Sequence, residues 1–240
     1  MYHMMLADNY EELSRKFADF LIKTVTEKED ASIVIATGTS PLLGYRMFVK
    51  RVKEENIDIS KVTFIKLDEW AGLSGDSPAT CEYFIRQELL IPLHIAPDAY
   101  IAFDCETQDK EKECDRIKHE LQRLGHIDLA ILGVGKNGHL GLNEPAGQLK
   151  LGPHTVVLEQ KTKTHSMLKK TDKEIVGGIT LGIGDLFAAN RIVLLITGDE
   201  KQEAIDAFMD DFVSTQAPVT LLKLHQDLTC IAEKRFIAGK

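Results

Sequence analysis

Residues 114–134, CDRIKHELQRLGHIDLAILGV, join two patterns that together decide the fold. Cys114, Ile117, Leu121 and Leu124 follow one another at steps of three, four and three residues, which is the spacing of an amphipathic helix. The apolar run IDLAILGV that closes the stretch predicts a strand covered on both faces. A helix that leads into such a strand is the repeating unit of a parallel α/β sheet.

The same unit recurs on both sides of this stretch. Further apolar strands are predicted at residues 32–36, 62–67, 191–198 and 219–224, and further amphipathic helices at about residues 9–28, at 42–52 and from about Asp199 onward. Apolar strands that alternate with helices predict a mostly parallel sheet with helices on both faces. We therefore expect one α/β domain over residues 1–240, with a three-layer, Rossmann-like arrangement.

The composition argues against several classes of protein. The 240 residues carry 29 Lys and Arg against 37 Asp and Glu, whereas a general nucleic-acid binder needs a positive surface. The four cysteines show no C-x-x-C spacing, which argues against a zinc ribbon and fits reduced thiols in a cytoplasm. No apolar run approaches the ~20 residues that span a bilayer, and the first residues lack a signal-peptide pattern. We expect a cytoplasmic protein with no nucleic-acid or membrane partner.

Ligands of an open parallel sheet bind beyond the carboxyl ends of its strands, and two of these ends offer groups that suit an anion. Thr37, Gly38, Thr39 and Ser40 lie between a predicted strand and a helix, where glycine permits close approach and free N–H groups carry partial positive charge. Lys201 lies in the first turn of a predicted helix, where the helix dipole disfavours a cation unless an anion is near. A plain capped turn and a solvated lysine explain the same residues, so both alternatives stay open.

Asp68 and Glu69, at the end of the second predicted strand, are candidate general bases. Neighbouring strand residues point to opposite faces, so only one of the two easily faces a shared pocket. Partial burial beside Leu67 and Trp70 would raise the pKa of that acid toward the useful range of a general base. An exposed acidic strand end is the alternative.

The loop LGVGKNGHLGLNEP, residues 132–145, carries the strongest signal. Its glycines imply close backbone approach to another group, and Asn137, His139 and Glu144 lie within a few residues of one another. A neutral imidazole oriented by a carboxylate carries protons near pH 7. The spacing does not match a zinc motif, so we expect no metal. A structural histidine is the alternative.

The segment at about residues 146–180 has the weakest pattern of the chain. Its polar and basic stretches QKTKTH and MLKKTDK suit an exposed loop or a lid near the site. A solvated face is an equal alternative. We assign His154 and His165 to surface or lid roles.

Four motifs together carry a resemblance to a known family. ATGTSP, KLDEW, GKNGHLGLNEP and TGDEK occur in the order found in the glucosamine-6-phosphate deaminase family of amino-sugar-phosphate isomerases, and the resemblance covers nearly the whole chain. The residues of the KLDEW and GKNGHLGLNEP motifs, together with HSMLKK further on, are most similar to those of the galactosamine-6-phosphate deaminase/isomerase branch.

The resemblance implies roles for individual residues. Asp68 matches the base that moves a proton between carbons 2 and 1 of the opened sugar. His139 matches the residue that assists ring opening, and Asn137 and Glu144 match its partners. The groups that hold the sugar phosphate correspond to Thr37, Gly38, Thr39, Ser40 and Lys201. The family implies no metal and no cofactor.

One departure from the family concerns the phosphate. Many members supply an arginine from the segment that corresponds to about residues 160–170, but KTKTHSMLKK contains none. Lys163, Lys169 or Lys170 could substitute as point charges, although lysine lacks the bidentate fork of arginine.

The implied reaction converts galactosamine 6-phosphate and water into tagatose 6-phosphate and ammonia, or glucosamine 6-phosphate into fructose 6-phosphate. Two other functions remain as alternatives. 6-Phosphogluconolactonases resemble this fold and share a similar phosphate loop. A sugar-phosphate sensor is the non-enzyme alternative, although the stretch before the first predicted strand offers no recognition helix. We expect a monomer or a small homo-oligomer that acts on a small sugar phosphate.

Overall fold

The computed structural model describes residues 2–164, 167–173, 175 and 177–237, and within them ten strands form two sheets. The strands are β1 (His3–Ala7), β2 (Ser32–Ile35), β3 (Thr63–Lys66), β4 (Asp68–Trp70), β5 (Tyr100–Ile101), β6 (Ile127–Gly133), β7 (His154–Val157), β8 (Gly177–Thr180), β9 (Ala189–Ile196) and β10 (Leu228–Glu233).

The main sheet has seven strands in the order β1-β10-β9-β6-β2-β3-β5, and its neighbouring strands run parallel. The second sheet is small and antiparallel, in the order β4-β8-β7. Because only Leu67 separates β3 from β4, this small sheet starts at the carboxyl edge of the main one, and Asp68 pairs with Thr180 of β8.

The helices are α1 (Tyr10–Glu27), α2 (Thr39–Glu54), α3 (Cys81–Ile85), α4 (Ile91–Leu93), α5 (Lys110–Leu124), α6 (Gln160–Lys163), α7 (Ile183–Phe187), α8 (Gln202–Met209) and α9 (Lys234–Ile237). A π-helical turn at Arg86–Leu90 joins α3 to α4. 3₁₀ segments lie at Pro97–Ala99, Leu168–Lys170, Asp199–Lys201 and Pro218–Leu224. None of the helices in the described part of the chain is long and apolar enough to cross a membrane.

Two apolar clusters cover the two faces of the main sheet. In β2, Val34 packs into one cluster while Ile33 and Ile35 pack into the other, because successive side chains of a strand point to opposite faces. Side chains of α5 and α8 join the Val34 cluster, and those of α1 and α2 join the opposite one. The sheet is therefore sandwiched between two helical layers, and the predicted fold class is confirmed.

One predicted strand is wrong. Residues 219–224 form part of the 3₁₀ helix Pro218–Leu224, in which Val219 and Leu222, three residues apart, are both buried. A three-residue period belongs to a 3₁₀ helix, and Pro218 has no N–H to give to a sheet ladder. The strand of this region is β10, which the sequence analysis did not identify.

Five further strands of the described residues were also not predicted, namely β1, β4, β5, β7 and β8. The apolar patch at the beginning of the chain forms β1 at the edge of the main sheet. The DEW motif is the strand β4 itself rather than the loop after a strand.

Candidate active site

A cavity of about 480 Å³ opens where β2, β3, β6 and β9 end. Of the nine site residues predicted from the sequence, seven line it: Thr37, Gly38, Thr39, Ser40, Asp68, His139 and Lys201. The other two, Asn137 and Glu144, lie behind His139 and contact it or its partners. The fold thus brings the predicted residues together at the carboxyl edge of the sheet.

One end of the cavity is suited to an anion. Gly38 precedes α2 with a φ of 97°, a backbone conformation that glycine adopts without strain. No side chain caps this helix start and its first turn holds no acid, so its N–H groups keep their partial positive charge. Lys201 donates from Nζ to Ser40 Oγ over 3.0 Å. Burial and the nearby Lys136 lower the pKa of Lys201 to about 8.

Asp68 forms the wall beside this anion site. Its side chain lies at the start of β4 and the residue is 8% exposed. Burial, together with the negative charge of Glu69, raises the pKa of Asp68 to about 6. The carboxylate is therefore ionised at neutral pH and still basic enough to take up a proton, which is the property of a general base. Glu69 does not line the cavity, as the alternation along a strand predicts.

Glu69 belongs to a buried ionic group beneath the cavity. Lys66, 1% exposed, donates from Nζ to Glu69 Oε2 over 3.0 Å and to Glu82 Oε2 over 2.8 Å. Tyr100 donates its hydroxyl to the same oxygen of Glu82 over 3.0 Å. Burial opposes the charge of Lys66, but the two carboxylates outweigh it and raise the pKa of Lys66. The ammonium group therefore stays charged and ties β3, β4 and α3 together.

His139 lines the same cavity and lies in the turn after β6. Its Nδ1 is 3.5 Å from Glu144 Oε2 and 3.2 Å from Thr162 Oγ1. The other edge of the ring packs on Gly135, where an added Cβ would lie 2.3 Å from His139 Cδ2. Gly135, four residues before the histidine, therefore leaves the space that the ring occupies, and the carboxylate of Glu144 orients the imidazole.

Asn137 completes the support of Glu144. It donates from Nδ2 to Glu144 Oε2 over 2.8 Å and to Glu159 Oε2 over 3.3 Å, and its Oδ1 accepts the backbone N–H of His139. Burial raises the pKa of Glu144, but the contacts with His139, Thr162 and Asn137 outweigh it and hold the pKa at about 2. Glu144 is thus a permanent anion behind the imidazole.

Four of the described lysines lie around the cavity. Lys136, Lys161 and Lys169 line the cavity together with Lys201. Lys136 donates to Thr164 Oγ1 over 3.0 Å and forms an ion pair with Glu200. Of the three lysines expected to stand in for the family's arginine, Lys169 lines the cavity, whereas Lys163 and Lys170 do not.

The two remaining histidines of the sequence analysis do not contribute described cavity contacts. His154 lies in β7, half-buried, with Nδ1 3.0 Å from the carbonyl oxygen of Gly152. His165 lies outside the described residues. Across the residues that the structure describes, no group of three or more His, Cys, Asp or Glu side chains could hold a metal ion.

The sequence analysis missed several residues of this site. Thr162 and Cys81 lie outside the four motifs, and Lys66 opens the KLDEW motif but was not singled out; their contacts join separate segments of the chain. The available signals were the place of Lys66 within KLDEW and the position of Cys81 directly after the capping residue Thr80.

The cavity has two ends of different chemistry. One end attracts an anion, and the other presents the carboxylate of Asp68, whose pKa is raised, beside the oriented imidazole of His139. A protein of this class is an enzyme that holds a small anionic substrate and transfers protons within it.

Comparison with known proteins narrows this class to a family. The model of the family described as glucosamine-6-phosphate isomerases/6-phosphogluconolactonase matches residues 6–231. AgaI of Escherichia coli (strain K12), named as a proposed deaminase, is 41% identical over 93% of this chain and 89% of its own length. Glucosamine-6-phosphate deaminase of Thermoanaerobacter sp. (strain X514) is 36% identical over 96% of this chain and 92% of its own length.

Solved structures agree with the sequence relatives. A monomeric glucosamine-6-phosphate deaminase of the NagB superfamily superposes with a TM-score of 0.94 at 31% identity, over 99% of this chain and 100% of that one. A 6-phosphogluconolactonase from Trypanosoma cruzi shares the fold with a TM-score of 0.77 at 19% identity, over 100% of this chain and 97% of that one. The chain belongs to the glucosamine-6-phosphate isomerase/6-phosphogluconolactonase family, and it is an enzyme of the deaminase/isomerase type.

Proposed function

We propose that this enzyme carries out the deaminating aldose–ketose isomerisation of an amino-sugar 6-phosphate, with galactosamine 6-phosphate as the preferred substrate and tagatose 6-phosphate and ammonia as products. The observation that carries the proposal is the position of Asp68, a buried and basic carboxylate in the same cavity as the anion site and His139. Glucosamine 6-phosphate, giving fructose 6-phosphate, is the alternative substrate.

The anion site holds the phosphate in this proposal. The uncapped N-terminus of α2 offers N–H groups, Ser40 offers a hydroxyl, and Lys201 supplies positive charge. Lys169 and Lys136 also line the cavity and add positive charge. With the phosphate fixed there, the six-carbon chain extends toward Asp68 and His139.

His139 opens the ring. The imidazole transfers a proton between the carbon-1 hydroxyl and the ring oxygen, so the carbon–oxygen bond of the ring breaks and an aldehyde forms. Glu144 stabilises the imidazolium that exists during this step, because its carboxylate stays ionised 3.5 Å from Nδ1.

Asp68 then shuttles the second proton. It takes the proton from carbon 2, which bears the nitrogen, while the aldehyde oxygen takes up a proton, so that an enolamine forms. Return of the first proton to carbon 1 and loss of a proton from nitrogen give an imine at carbon 2. Water adds to this imine, ammonia leaves, and a ketose 6-phosphate remains. A positioned acid–base group of this kind typically supplies about 10²–10⁴-fold in rate.

The test is ammonia release from galactosamine 6-phosphate and glucosamine 6-phosphate, measured side by side without added metal or cofactor. The proposed preference for galactosamine 6-phosphate rests on the residues of the sequence motifs. Faster turnover of glucosamine 6-phosphate would reverse it. Release from neither substrate would refute the deaminase assignment, and hydrolysis of 6-phosphogluconolactone would then be measured.

A variant tests the assignment of the base. We expect Asp68→Asn to lower kcat to near zero while sugar-phosphate binding remains measurable, because the phosphate contacts are made by other residues. Asp185→Asn is the matched control: burial also raises the pKa of Asp185 to about 6, but Asp185 lies outside the cavity, where it accepts the N–H of Gly182. Wild-type-like turnover by Asp68→Asn would remove Asp68 from the mechanism.

The proposal extends to the lid and to the oligomeric state. Residues of the segment 146–180, among them Lys161, Thr162 and Lys169, line the cavity, which supports a role of this segment in covering the bound phosphate. The similarity to a monomeric deaminase supports a monomer. Light scattering in solution measures the mass directly, and a larger assembly would contradict this part of the proposal.

A further inference from the structure

Cys81 lies directly against the proposed base. It is the first residue of α3, it is 1% exposed, and its Sγ is 3.5 Å from Asp68 Oδ1. Thr37, from the loop before α2, donates its hydroxyl to Cys81 Sγ over 3.2 Å. A short chain of hydrogen bonds therefore runs from the anion-site loop through the thiol to the carboxylate.

The direction of these hydrogen bonds follows from the chemistry of the groups. An ionised carboxylate only accepts, so the thiol is the donor to Asp68. Burial, together with the negative charges of Glu69 and Asp68, raises the pKa of Cys81 well above its usual range, so the proton stays on sulfur. With its proton directed at Asp68, the sulfur can still accept from Thr37.

The backbone of Cys81 is held in place by the buried ionic group. Glu69 Oε1 accepts the N–H of Cys81 over 2.9 Å and that of Trp70 over 2.8 Å, and Glu69 Oε2 accepts the N–H of Glu82 over 2.8 Å. Lys66 donates to Glu69 and holds its carboxylate in place. The start of α3 is therefore fixed to β4, and the thiol has little freedom to move away from Asp68.

We infer that Cys81 is a positioning residue for the proposed base: its S–H donates to Asp68 Oδ1, fixes the carboxylate toward the cavity and favours its ionised form. The inference rests on the proposed function, because it concerns the base of that reaction. Cysteine suits the place because a thiol is a weak donor, which holds the carboxylate without removing its basicity.

The surroundings of Asp68 allow the effect of the thiol to be separated from other charges. The charged and titratable groups that act on it are Glu69 on the same strand, Lys66 on β3, Cys81 on α3 and His139 after β6. Glu69 raises the pKa of Asp68, whereas Cys81, His139 and Lys66 lower it. Replacing only the thiol leaves the other three groups unchanged.

The experiment compares four proteins: wild type, Cys81→Val, Cys81→Ser and Cys114→Ala. Valine is apolar, is larger than cysteine by about one methyl group and removes the donor, whereas serine keeps a donor. Cys114 is also buried but lies on α5, away from the cavity, so its variant controls for the loss of a core thiol. Circular dichroism establishes that each variant is folded. If valine distorts the start of α3, Cys81→Ala replaces Cys81→Val as the variant without the donor.

The first readout is the titration of the Asp68 carboxyl carbon by ¹³C NMR, with the signal assigned by its loss in Asp68→Asn. It needs no substrate and therefore remains valid if the proposed reaction fails. We expect the pKa of Asp68 to rise by about half a unit or more in Cys81→Val, to stay at or below the wild-type value in Cys81→Ser, whose hydroxyl is the stronger donor, and to be unchanged in Cys114→Ala.

The second readout is the pH dependence of kcat/KM for ammonia release. We expect the acid limb of Cys81→Val to move to higher pH, so that below the midpoint its kcat/KM falls about threefold relative to wild type. An unchanged acid limb and carboxyl titration in Cys81→Val, or an equal shift in Cys114→Ala, would overturn the inference. Absence of ammonia from the wild type would instead refute the proposed function alone.

Discussion

Replacing the buried carboxylate of Asp68 by an amide should stabilise the protein while it abolishes turnover. The reason is that the fold holds the pKa of Asp68 at about 6, against an ordinary value of 3.8. The folded protein therefore binds the Asp68 proton more tightly than the unfolded chain does. Stability that is fully present below the unfolded pKa is lost as the pH rises through the folded pKa.

The magnitude follows from the size of this shift. A shift of about 2 units corresponds to about 3 kcal/mol of the free energy of unfolding, all of it lost above the folded pKa. At about pH 5 the loss is only partial, because the folded carboxyl group is then mostly protonated. Asp68→Asn has no such proton, so its advantage over wild type should grow by about 1.4 kcal/mol between about pH 5 and about pH 8.

The assay is urea denaturation of wild type and Asp68→Asn at the two pH values. Comparing the two proteins at each pH cancels the titration of the remaining groups, provided that the mutation leaves them unchanged. At about pH 8 we expect Asp68→Asn to be up to about 3 kcal/mol more stable, a stability gain at the expense of activity. A difference between the two proteins that is the same at both pH values would refute the account of Asp68 as a destabilised, basic carboxylate.

Three further predictions concern the rest of the site. The rate profile kcat/KM should be bell-shaped, rising through about pH 6 as Asp68 ionises and falling above about pH 8 as Lys201 loses its proton; a profile flat across this range would contradict both assignments. Glu144→Gln should lower kcat roughly 10²-fold with little change in KM, because His139 loses the carboxylate that orients it, and steady-state kinetics measures the split. Gly135→Ala should lower kcat by about 10²-fold, since the new Cβ displaces the ring of His139, whereas Gly147→Ala, which has open space around it, should match wild type in the same assay.

Much of the fold was predictable because strand and helix periods are local. The doubly covered strands at β2, β3, β6 and β9 have continuous apolar runs, and their helices have apolar residues at helical spacing. Once the sheet was predicted to be parallel, the rule for strand ends placed the anion loop, Asp68 and His139 at one edge. The structure brings these residues to one cavity.

The parts that could not be predicted depend on contacts between distant segments. Residues 219–224 have a strand-like composition, but Val219 donates its N–H to the carbonyl oxygen of Gly138, and the segment packs as a 3₁₀ helix against the glycine loop. Cys81 and Thr162 lie 13 and 23 residues from the groups that they contact, Asp68 and His139. No spacing rule connects positions that only the tertiary fold brings together.

The surroundings of Asp68 and Lys201 shift the pKa values of these two residues toward each other. Burial raises the pKa of Asp68 to about 6, and burial with Lys136 lowers that of Lys201 to about 8, so the proposed base and the proposed phosphate ligand are both ionised only in the interval between. Each shift opposes the charged form that function needs, and each therefore lowers stability near neutral pH. The compensation lies beside the cavity, where Lys66 joins Glu69 and Glu82 and where Glu144 is held ionised by its partners. The strongly paired charges thus fix β4, the start of α3 and the ring of His139, while Asp68 and Lys201 carry the shifted pKa values that the proposed proton transfer and anion binding need.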